Sequence, residues 1–296
     1  MADRSGEAIS DDDKSEESEL GPTGRPLRDI PVPAPKTKHG PAKVIAMCNQ
    51  KGGVGKTTSS INLGAGLAEL GRRVLIVDLD PQGALSAGFG IQSYDLDNTI
   101  YNLLIETDVD VDDVIVRTRT DNLDVIPANI DLSAAEIQLV SEVGREQALY
   151  RAIYPVMDRY DYILIDCQPS LGLLTVNALA TSDAVIIPME CEFFSMRGLA
   201  LLTDTVEKVK SRLNPRLELA GILVTLFDGR TLHAQDVMQR LMEAFGDTVF
   251  ETVITRTVRF PETSVAGEPI LSWAPDSPGA QQYRQLACEV VERLEQ

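Results

Sequence analysis

The sequence of 296 residues predicts an α/β fold in which a mostly parallel, doubly wound sheet is covered by helices on both faces. Three observations support this prediction. Short apolar runs rich in Val, Ile and Leu recur without polar alternation, as in strands buried on both faces. Amphipathic segments of helical length lie between several of these runs, which favours right-handed crossovers. A glycine-rich loop separates the first run from the first helical segment.

The predicted elements follow one another in a regular order. The predicted strands are residues 44–48, 74–78, 123–127, 162–166, 184–188 and 222–226. The predicted helices include residues 57–70, 133–140 and 199–213. Gly71 follows the first helix and is the residue type that most often ends a helix in the left-handed conformation.

The N-terminal part of the chain differs in composition from the rest. An acidic run over residues 11–19 and frequent prolines after it leave too little apolar surface to offset the entropy of ordering. We therefore predict a disordered, acidic and proline-rich extension over residues 1–42. A single domain is predicted over residues 43–296. A solvated leader is favoured for the extension, and a docking role stays open.

Composition and charge limit the classes of function. The contents of 44% apolar and 24% charged residues are typical of a globular protein. No run approaches the roughly 20 apolar residues of a membrane span, and the N-terminus lacks the apolar segment of a signal peptide. We therefore expect a soluble, cytoplasmic protein. The formal net charge of −18 opposes non-specific binding to DNA unless basic residues cluster locally.

The cysteines are scattered along the chain. They form no C-x-x-C pair, so their spacing suits neither a zinc site nor an iron–sulfur cluster shared between subunits. Reduced and mostly buried thiols are predicted instead. The four are Cys48, Cys167, Cys191 and Cys288.

The glycine-rich loop has the pattern N-Q-K-G-G-V-G-K-T-T and lies between the first strand and the first helix. Phosphates bind at this position in parallel α/β sheets. Its glycines allow consecutive amides to converge on phosphate oxygens. Lys56 would place a charge on the β- and γ-phosphates, and Thr57 would ligate Mg²⁺. The predicted phosphate-binding residues of the loop are Gly52, Gly53, Val54, Gly55, Lys56, Thr57 and Thr58.

The loop departs from the usual G-x-x-x-x-G-K-S/T pattern because Gln50 stands where the first glycine is expected. A second lysine, Lys51, follows it. A glycine-rich turn without a ligand is disfavoured by this combination of residues in a strand–helix context. The segment resembles the deviant Walker A motif of the ParA/MinD branch of P-loop ATPases. The chain from Lys43 onward is similar to chromosomal ParA proteins of the Soj type.

The resemblance implies a role for Lys51 in dimerisation. In that family the early lysine reaches across a nucleotide sandwich dimer to the phosphates of the partner's ATP. A cation from a second subunit would help to neutralise the triphosphate where water is excluded. An ATP-dependent homodimer is therefore expected.

Acidic residues end two of the predicted strands. A carboxylate after an apolar strand is where P-loop ATPases hold Mg²⁺ or its water shell, so Asp166 is predicted to act with Thr57 as a metal ligand. The resemblance implies that Asp80 positions the attacking water and that Asp78 tunes the metal surroundings. Capping of the following helices is the alternative role for such acids. Gln168 departs from the family's D-C-P-P-S-L-G pattern.

The expected nucleotide is ATP, because the sequence has no N-K-x-D motif for guanine. The segment 254–260, I-T-R-T-V-R-F, resembles the family's I-P-R-N-V-R-L. This resemblance implies adenine contacts from Thr255 and Thr257. Nothing in the motifs supplies a strong general base, so slow intrinsic hydrolysis is expected. The resemblance implies that a ParB-like centromere-binding protein stimulates it.

The resemblance also implies that the ATP-bound dimer binds the nucleoid. Arg230 matches an arginine with which ParA relatives bind DNA non-specifically. Residues 200–260 carry eight basic and eight acidic side chains, so a local basic face is possible within an acidic protein. Contacts to the DNA backbone without base readout are expected. Lys208, Lys210 and Arg212 are predicted to assist, with a solvated helix face as their alternative role.

Three other functions compete with this one. A MinD-like membrane switch would need a basic amphipathic C-terminal helix, whereas residues 283–296 carry more acid than base. A metallocluster reductase is disfavoured by the arrangement of the cysteines. A ParA-like ATPase that positions a cargo other than the chromosome stays open.

Overall fold

The computed structural model of the chain describes residues 20–193 and 195–295. Its strands are β1 (Lys43–Met47), β2 (Val74–Leu79), β3 (Val116–Arg117), β4 (Leu123–Ile126), β5 (Tyr162–Cys167), β6 (Ala184–Glu190) and β7 (Glu218–Thr225). They form one sheet in the order β3-β4-β2-β5-β1-β6-β7. The neighbours in this sheet are parallel except β3 and β4, which are antiparallel.

Helices cover both faces of the sheet. The α-helices in the described ranges are α1 (Lys56–Glu69), α2 (Ala84–Gly88), α3 (Ile100–Ile105), α4 (Leu132–Gln138), α5 (Ala148–Ile153), α6 (Leu173–Thr181), α7 (Ser195–Arg212), α8 (Leu232–Phe245), α9 (Arg259–Ala266), α10 (Ile270–Trp273) and α11 (Pro278–Leu294). None of these helices combines the length and the apolar character that crossing a membrane would require.

Burial on both faces explains the apolar strands. In β1, Val44 and Ala46 belong to one core cluster, and Ile45 and Met47 belong to the cluster on the other face. Both sets need apolar side chains, so no polar alternation appears. All six predicted strands are confirmed. The short strand β3 was missed, because two residues with partly exposed side chains carry no periodic signal.

Helix α1 carries the glycine-rich loop at its N-terminus and packs closely on α11. A Cβ on Gly66 would lie 3.0 Å from the Cβ of Ala287 and 3.1 Å from the carbonyl oxygen of Tyr283. A larger residue at position 66 would therefore crowd this helix contact. At the other end of α1, Gly71 has φ 75° and closes the helix as predicted.

Parallel pairing brings the chemically interesting strand ends together. Asp166 at the end of β5 is in register with Met47 on β1 and with Asp78 on β2. The loop after β1 therefore starts beside both acidic strand ends. Because all three strands run in the same direction, their carboxyl ends form one continuous edge of the sheet.

Residues 20–42, which we call the N-terminal strap, lie against the domain. Arg25 donates a hydrogen bond to the carbonyl oxygen of Val249 at 2.7 Å. Arg28 forms ion pairs with Glu251 at 3.0 Å and Glu292 at 2.7 Å. The sequence predicts a disordered extension over residues 1–42, whereas these contacts attach residues 20–42 to partners that are distant in sequence and that local composition does not show. The acidic run over residues 11–19 lies outside the described residues.

Asp161 joins the strap to the sheet. Its carboxylate is fully buried and accepts hydrogen bonds from the Arg73 amide at 2.8 Å, the Gly40 amide at 3.1 Å and His39 Nδ1 at 2.7 Å. Burial by itself would raise the pKa of Asp161, but these donors and the nearby Lys36 lower it overall. The ionised carboxylate therefore stabilises the fold at neutral pH.

Replacing Asp161 with alanine should loosen the strap and destabilise the domain. Two amides would lose a buried acceptor, at a cost of roughly 2–4 kcal/mol in the free energy of unfolding. Urea denaturation should show a lower midpoint, and trypsin should cleave faster at Arg28. The exposed Asp121→Ala is the matched control. An unchanged midpoint and cleavage rate would contradict this role for Asp161.

Candidate functional site

A cavity of about 440 Å³ opens at the carboxyl edge of the sheet, above the glycine-rich loop. It combines the loop, an acidic strand end and segments from late in the chain. Its lining consists of Gly52, Gly53, Gly55, Lys56, Thr57, Thr58, Asp80, Pro169, Thr225, Leu226, Ile254, Arg256, Thr257, Phe260, Pro261, Ser264 and Tyr283.

The backbone of the loop is shaped for an anion. Gly53 and Gly55 have φ values of 76° and 78°, in the left-handed region that glycine tolerates best. A Cβ on Gly53 would meet no atom within 4 Å, so the space above the loop is open. The carbonyl oxygen of Val54 accepts a hydrogen bond from Thr225 Oγ1 at 2.8 Å, which fixes the loop to β7.

The N-terminus of α1 points its amide groups into this region. None of the described side chains caps this end of the helix. Lys56 is 6% exposed, and its Nζ donates a hydrogen bond to the carbonyl oxygen of Lys51 at 3.2 Å. Free amides, the helix dipole and a lysine are therefore concentrated at one end of the cavity, which favours a polyanion there.

Asp166 lies directly below the loop. Its Oδ2 accepts a hydrogen bond from Thr57 Oγ1 at 2.7 Å, and its Oδ1 accepts one from Ser60 Oγ at 3.0 Å. Burial raises the pKa of Asp166 to about 6 although these donors oppose the shift. The two predicted metal ligands are thus brought together, and Ser60 was missed by the sequence reasoning.

Asp78 is buried behind the cavity. It accepts hydrogen bonds from the Ser86 hydroxyl at 2.7 Å, the Ser86 amide at 2.9 Å and the Asp80 amide at 3.2 Å. Burial, assisted by the charge of Asp166, raises the pKa of Asp78 to about 7. These contacts fix the turn that places Asp80 in the cavity wall. Asp78 therefore positions the segment that carries Asp80.

Lys51 does not line the cavity. Its Nζ donates to Glu190 Oε2 at 3.0 Å and to Glu192 Oε2 at 2.5 Å. The side chain is thus held by the segment that follows β6 in the same chain. Sequence reasoning missed both glutamates, because they lie 139 and 141 residues from Lys51.

The structure separates the two predicted adenine contacts. Thr257 lines the cavity, whereas the amide and the hydroxyl of Thr255 bind Gln282 Oε1 at 3.0 and 3.2 Å. Thr255 is therefore not brought into the site. Phe260 and Tyr283 form part of the wall and had not been predicted. Their rings pack edge to face with centroids 5.8 Å apart, a contact that no local pattern reveals.

The predicted DNA-binding residues do not form one cluster. Arg230 follows β7 at the carboxyl edge, and its guanidinium binds both oxygens of Asp228 at 2.8 Å. Lys208, Lys210 and Arg212 lie at the end of α7, which has 18 residues and so spans about 27 Å. Because α7 runs back toward the start of β7, these three lie near the amino edge. The structure therefore does not bring these three side chains to the edge that carries Arg230.

Arg256 is a further cation at the carboxyl edge, near the Asp228 that binds Arg230. A smaller cavity of about 220 Å³ is lined by Asp228, His233 and Arg256, among other residues. Arg256 also lines the main cavity and forms an ion pair with Glu190 at 3.4 Å. The β7 side of the entrance therefore carries Arg256 together with acidic side chains, among them Glu190, Glu192 and Asp228.

Comparison with known proteins gives consistent matches over most of the chain. A family model described as an AAA domain matches residues 42–219. An uncharacterised protein of Mycobacterium tuberculosis is 70% identical over 275 residues, covering 93% of this chain and 86% of its own. The sporulation initiation inhibitor protein Soj of Bacillus subtilis is 50% identical over 249 residues, covering 84% of this chain and 98% of its own.

A third relative and one solved structure extend these matches. The chromosome-partitioning ATPase Soj of Treponema pallidum is 47% identical over 251 residues, covering 85% of this chain and 98% of its own. A crystal structure named cobyrinic acid a,c-diamide synthase, from Mycobacterium smegmatis with bound ADP and magnesium, superposes with a TM-score of 0.73. It is 40% identical and covers 83% of this chain and 92% of its own.

The two buried acids predict an unusual pH dependence of stability. Because the pKa values of Asp78 and Asp166 are raised in the folded protein, the folded protein binds more protons than the unfolded chain above about pH 4. Without nucleotide and divalent cations, their contribution to the free energy of unfolding should fall by roughly 2–4 kcal/mol between pH 5 and pH 8.

Urea denaturation of Asp78→Asn across this range isolates the effect. In this variant the free energy of unfolding should decrease much less between pH 5 and pH 8 than in wild type, whatever the variant's absolute stability. The exposed Asp97→Asn should keep the wild-type slope. A variant profile that parallels the wild-type profile would contradict the raised pKa of Asp78.

Proposed function

This chain belongs to the Soj/ParA family of P-loop ATPases, and on that basis we propose that it is an ATP-dependent DNA-partitioning ATPase. In the proposed cycle, an ATP-bound sandwich dimer binds the nucleoid non-specifically. A ParB-like centromere-binding protein then stimulates hydrolysis and releases the dimer. The proposed location is the cytoplasm, on the nucleoid.

One observation carries the proposal. Thr57 Oγ1 lies 2.7 Å from the buried carboxylate of Asp166, directly below an open glycine loop that also holds Lys56. This arrangement places a cation-binding oxygen pair beneath a cradle for phosphates. Such a pairing serves phosphoryl transfer, in which positioning and charge neutralisation supply most of the catalysis.

The residues present fit ATP and Mg²⁺. Loop amides and Lys56 would hold the phosphates, and Thr57 with Asp166 would hold Mg²⁺ or its water shell. Bound Mg²⁺ would supply charge neutralisation at the β- and γ-phosphates. The described residues contain no cluster of three or more His, Cys, Asp or Glu side chains suited to a metal. This suits Mg²⁺, which usually keeps waters and phosphate oxygens among its ligands.

Asp80 is the proposed positioning group for the attacking water. It lies in the cavity wall, and its Oδ1 accepts a hydrogen bond from the Gln82 amide at 3.0 Å, which orients the carboxylate. Lys51 is the proposed cation that each subunit contributes to the ATP of its partner. Together these roles give a slow ATPase that needs a second subunit and an activating protein.

A DNA surface at the carboxyl edge is proposed around Arg230. Its side chain is 90% exposed, and Arg256 lies on the same side of the cavity entrance. A dimer would present this region twice, which matters in a protein with a net charge of −18. The Soj protein of Treponema pallidum, a chromosome-partitioning ATPase, supports this assignment.

A second candidate function is favoured by the distance of Arg230 from the three basic residues at the end of α7, Lys208, Lys210 and Arg212. A smaller basic surface is compatible with a ParA-like ATPase that positions a cargo other than the chromosome. A membrane switch is disfavoured, because Leu286 and Val290 of α11 are fully buried in the domain. The apolar face of this C-terminal helix is therefore not exposed to a bilayer.

Replacing Lys56 with alanine should remove ATP binding. The change deletes a buried charge at the cradle and should raise the dissociation constant by about 100-fold or more, since charge-assisted hydrogen bonds to phosphate are strong. Isothermal titration with a non-hydrolysable ATP analogue measures it. Lys43→Ala, which changes an exposed lysine at the start of β1, should bind normally. Unchanged affinity in Lys56→Ala would refute the loop assignment.

Replacing Arg230 with glutamate should abolish DNA binding but not ATP-dependent dimerisation. The wild-type protein should co-sediment with DNA in ATP but not in ADP, and less so at higher salt. Arg230→Glu should lose this binding while light scattering still detects the dimer. Arg240→Glu, an equal charge change at an exposed position of α8, should retain most of it. Full salt-sensitive binding by Arg230→Glu would remove this residue from the surface.

A further inference from the structure

Two acidic side chains of the same chain bind the Lys51 ammonium. The ammonium lies between two carboxylates, 3.0 Å from Glu190 and 2.5 Å from Glu192. Glu190 is 13% exposed and Glu192 is 54% exposed, so one contact is shielded from water and the other is not. Two acids therefore share one lysine that the phosphate cradle itself does not use.

The backbone around Lys51 is attached to the same segment. Asn49 Nδ2 donates a hydrogen bond to the carbonyl oxygen of Pro188 at 2.7 Å, and Asn49 Oδ1 accepts one from the Lys51 amide at 2.9 Å. Gln50 Nε2 donates to the carbonyl oxygen of Gly198 at 3.1 Å. The first half of the loop is thus fixed to the end of β6 and the start of α7, which directs Lys51 toward the glutamates.

Glu190 also connects Lys51 to the cavity. Its second oxygen pairs with Arg256 at 3.4 Å, and Arg256 lines the cavity wall. A ligand that moves Arg256 into the cavity would remove one of the two cations that neutralise Glu190. The two acids and two cations therefore form one small network at the entrance of the site.

We propose that Glu190 and Glu192 are positioning residues that hold Lys51 within its own subunit until the triphosphate of a partner subunit competes for it. This inference rests on the proposed function, because it concerns the cross-subunit role of Lys51. The acids raise the free-energy cost of moving Lys51 to the nucleotide of a partner subunit. A triphosphate carries more negative charge than a diphosphate, so it competes better for the lysine. The hold thereby improves discrimination between ATP and ADP during dimerisation.

Neutralising both acids in Glu190→Gln/Glu192→Gln should make dimerisation easier. A partly exposed ion pair is worth a factor of about two to five, so losing two should lower the half-saturating ATP concentration about tenfold. ADP should also begin to support dimers. Analytical ultracentrifugation over an ATP and an ADP series measures both effects. The matched control is Glu207→Gln/Glu243→Gln, which removes the same charge at exposed positions of α7 and α8.

The amine reactivity of Lys51 provides a readout that does not depend on dimerisation. Without nucleotide, acylation at pH 8 followed by peptide mass spectrometry should modify Lys51 several-fold faster in the double Gln variant than in wild type. A merely structural role for the glutamates would accelerate the exposed reference Lys43 equally. Equal Lys51 rates in the two proteins would overturn the proposal.

The two measurements separate this inference from the proposed function. Unchanged or weaker dimerisation of the double variant, or an equal shift in the control, would overturn this role of the two glutamates. If wild type stays monomeric in ATP but the double variant is still labelled faster at Lys51, the proposed dimer is refuted. The ion pairs of Lys51 within its own subunit are then still supported.

Discussion

The parallel pairing of β1 with β5 is the constraint on which the site depends. It places the glycine-rich loop directly after a strand whose neighbour ends in Asp166, so the loop hydroxyl of Thr57 meets that carboxylate at 2.7 Å. Burial on both faces holds these strands in register, since a slip by one residue would exchange the two core faces. The same packing that stabilises the sheet therefore also fixes the contact between Thr57 and Asp166.

The site brings buried carboxylates close to positively charged groups. Asp78 and Asp166 are buried side by side in register, and burial raises the pKa of both. The loop amides, the N-terminus of α1 and Lys56 attract negative charge from the other side of the cavity. Such a site is electrostatically more favourable with a cation and a polyanion present together than with either one alone, which suits a magnesium–nucleotide complex.

The two cations proposed to act on other molecules both have acidic partners within the chain. Lys51 lies between Glu190 and Glu192, and Arg230 binds both oxygens of Asp228. In a protein with a net charge of −18, this pairing reduces the number of free basic groups at the surface. In the proposed function, the ATP of a partner and DNA would therefore have to displace internal carboxylates from these two cations.

The sequence by itself determined the six longer strands, the phosphate loop and the choice of Thr57 and Asp166 as candidate metal ligands, because apolar runs, glycine spacing and strand-end acids are local patterns. Only the tertiary structure decided the partners that are far apart in sequence. Ser60 and the glutamates around Lys51 were not predicted, the strap binds where disorder was expected, and Thr255 turns away from the cavity. Lys208 and Arg230 are 22 residues apart in the chain yet lie near opposite edges of the sheet. The physical reason is that spacing along a chain fixes local conformation, whereas crossovers and core packing decide which distant groups meet.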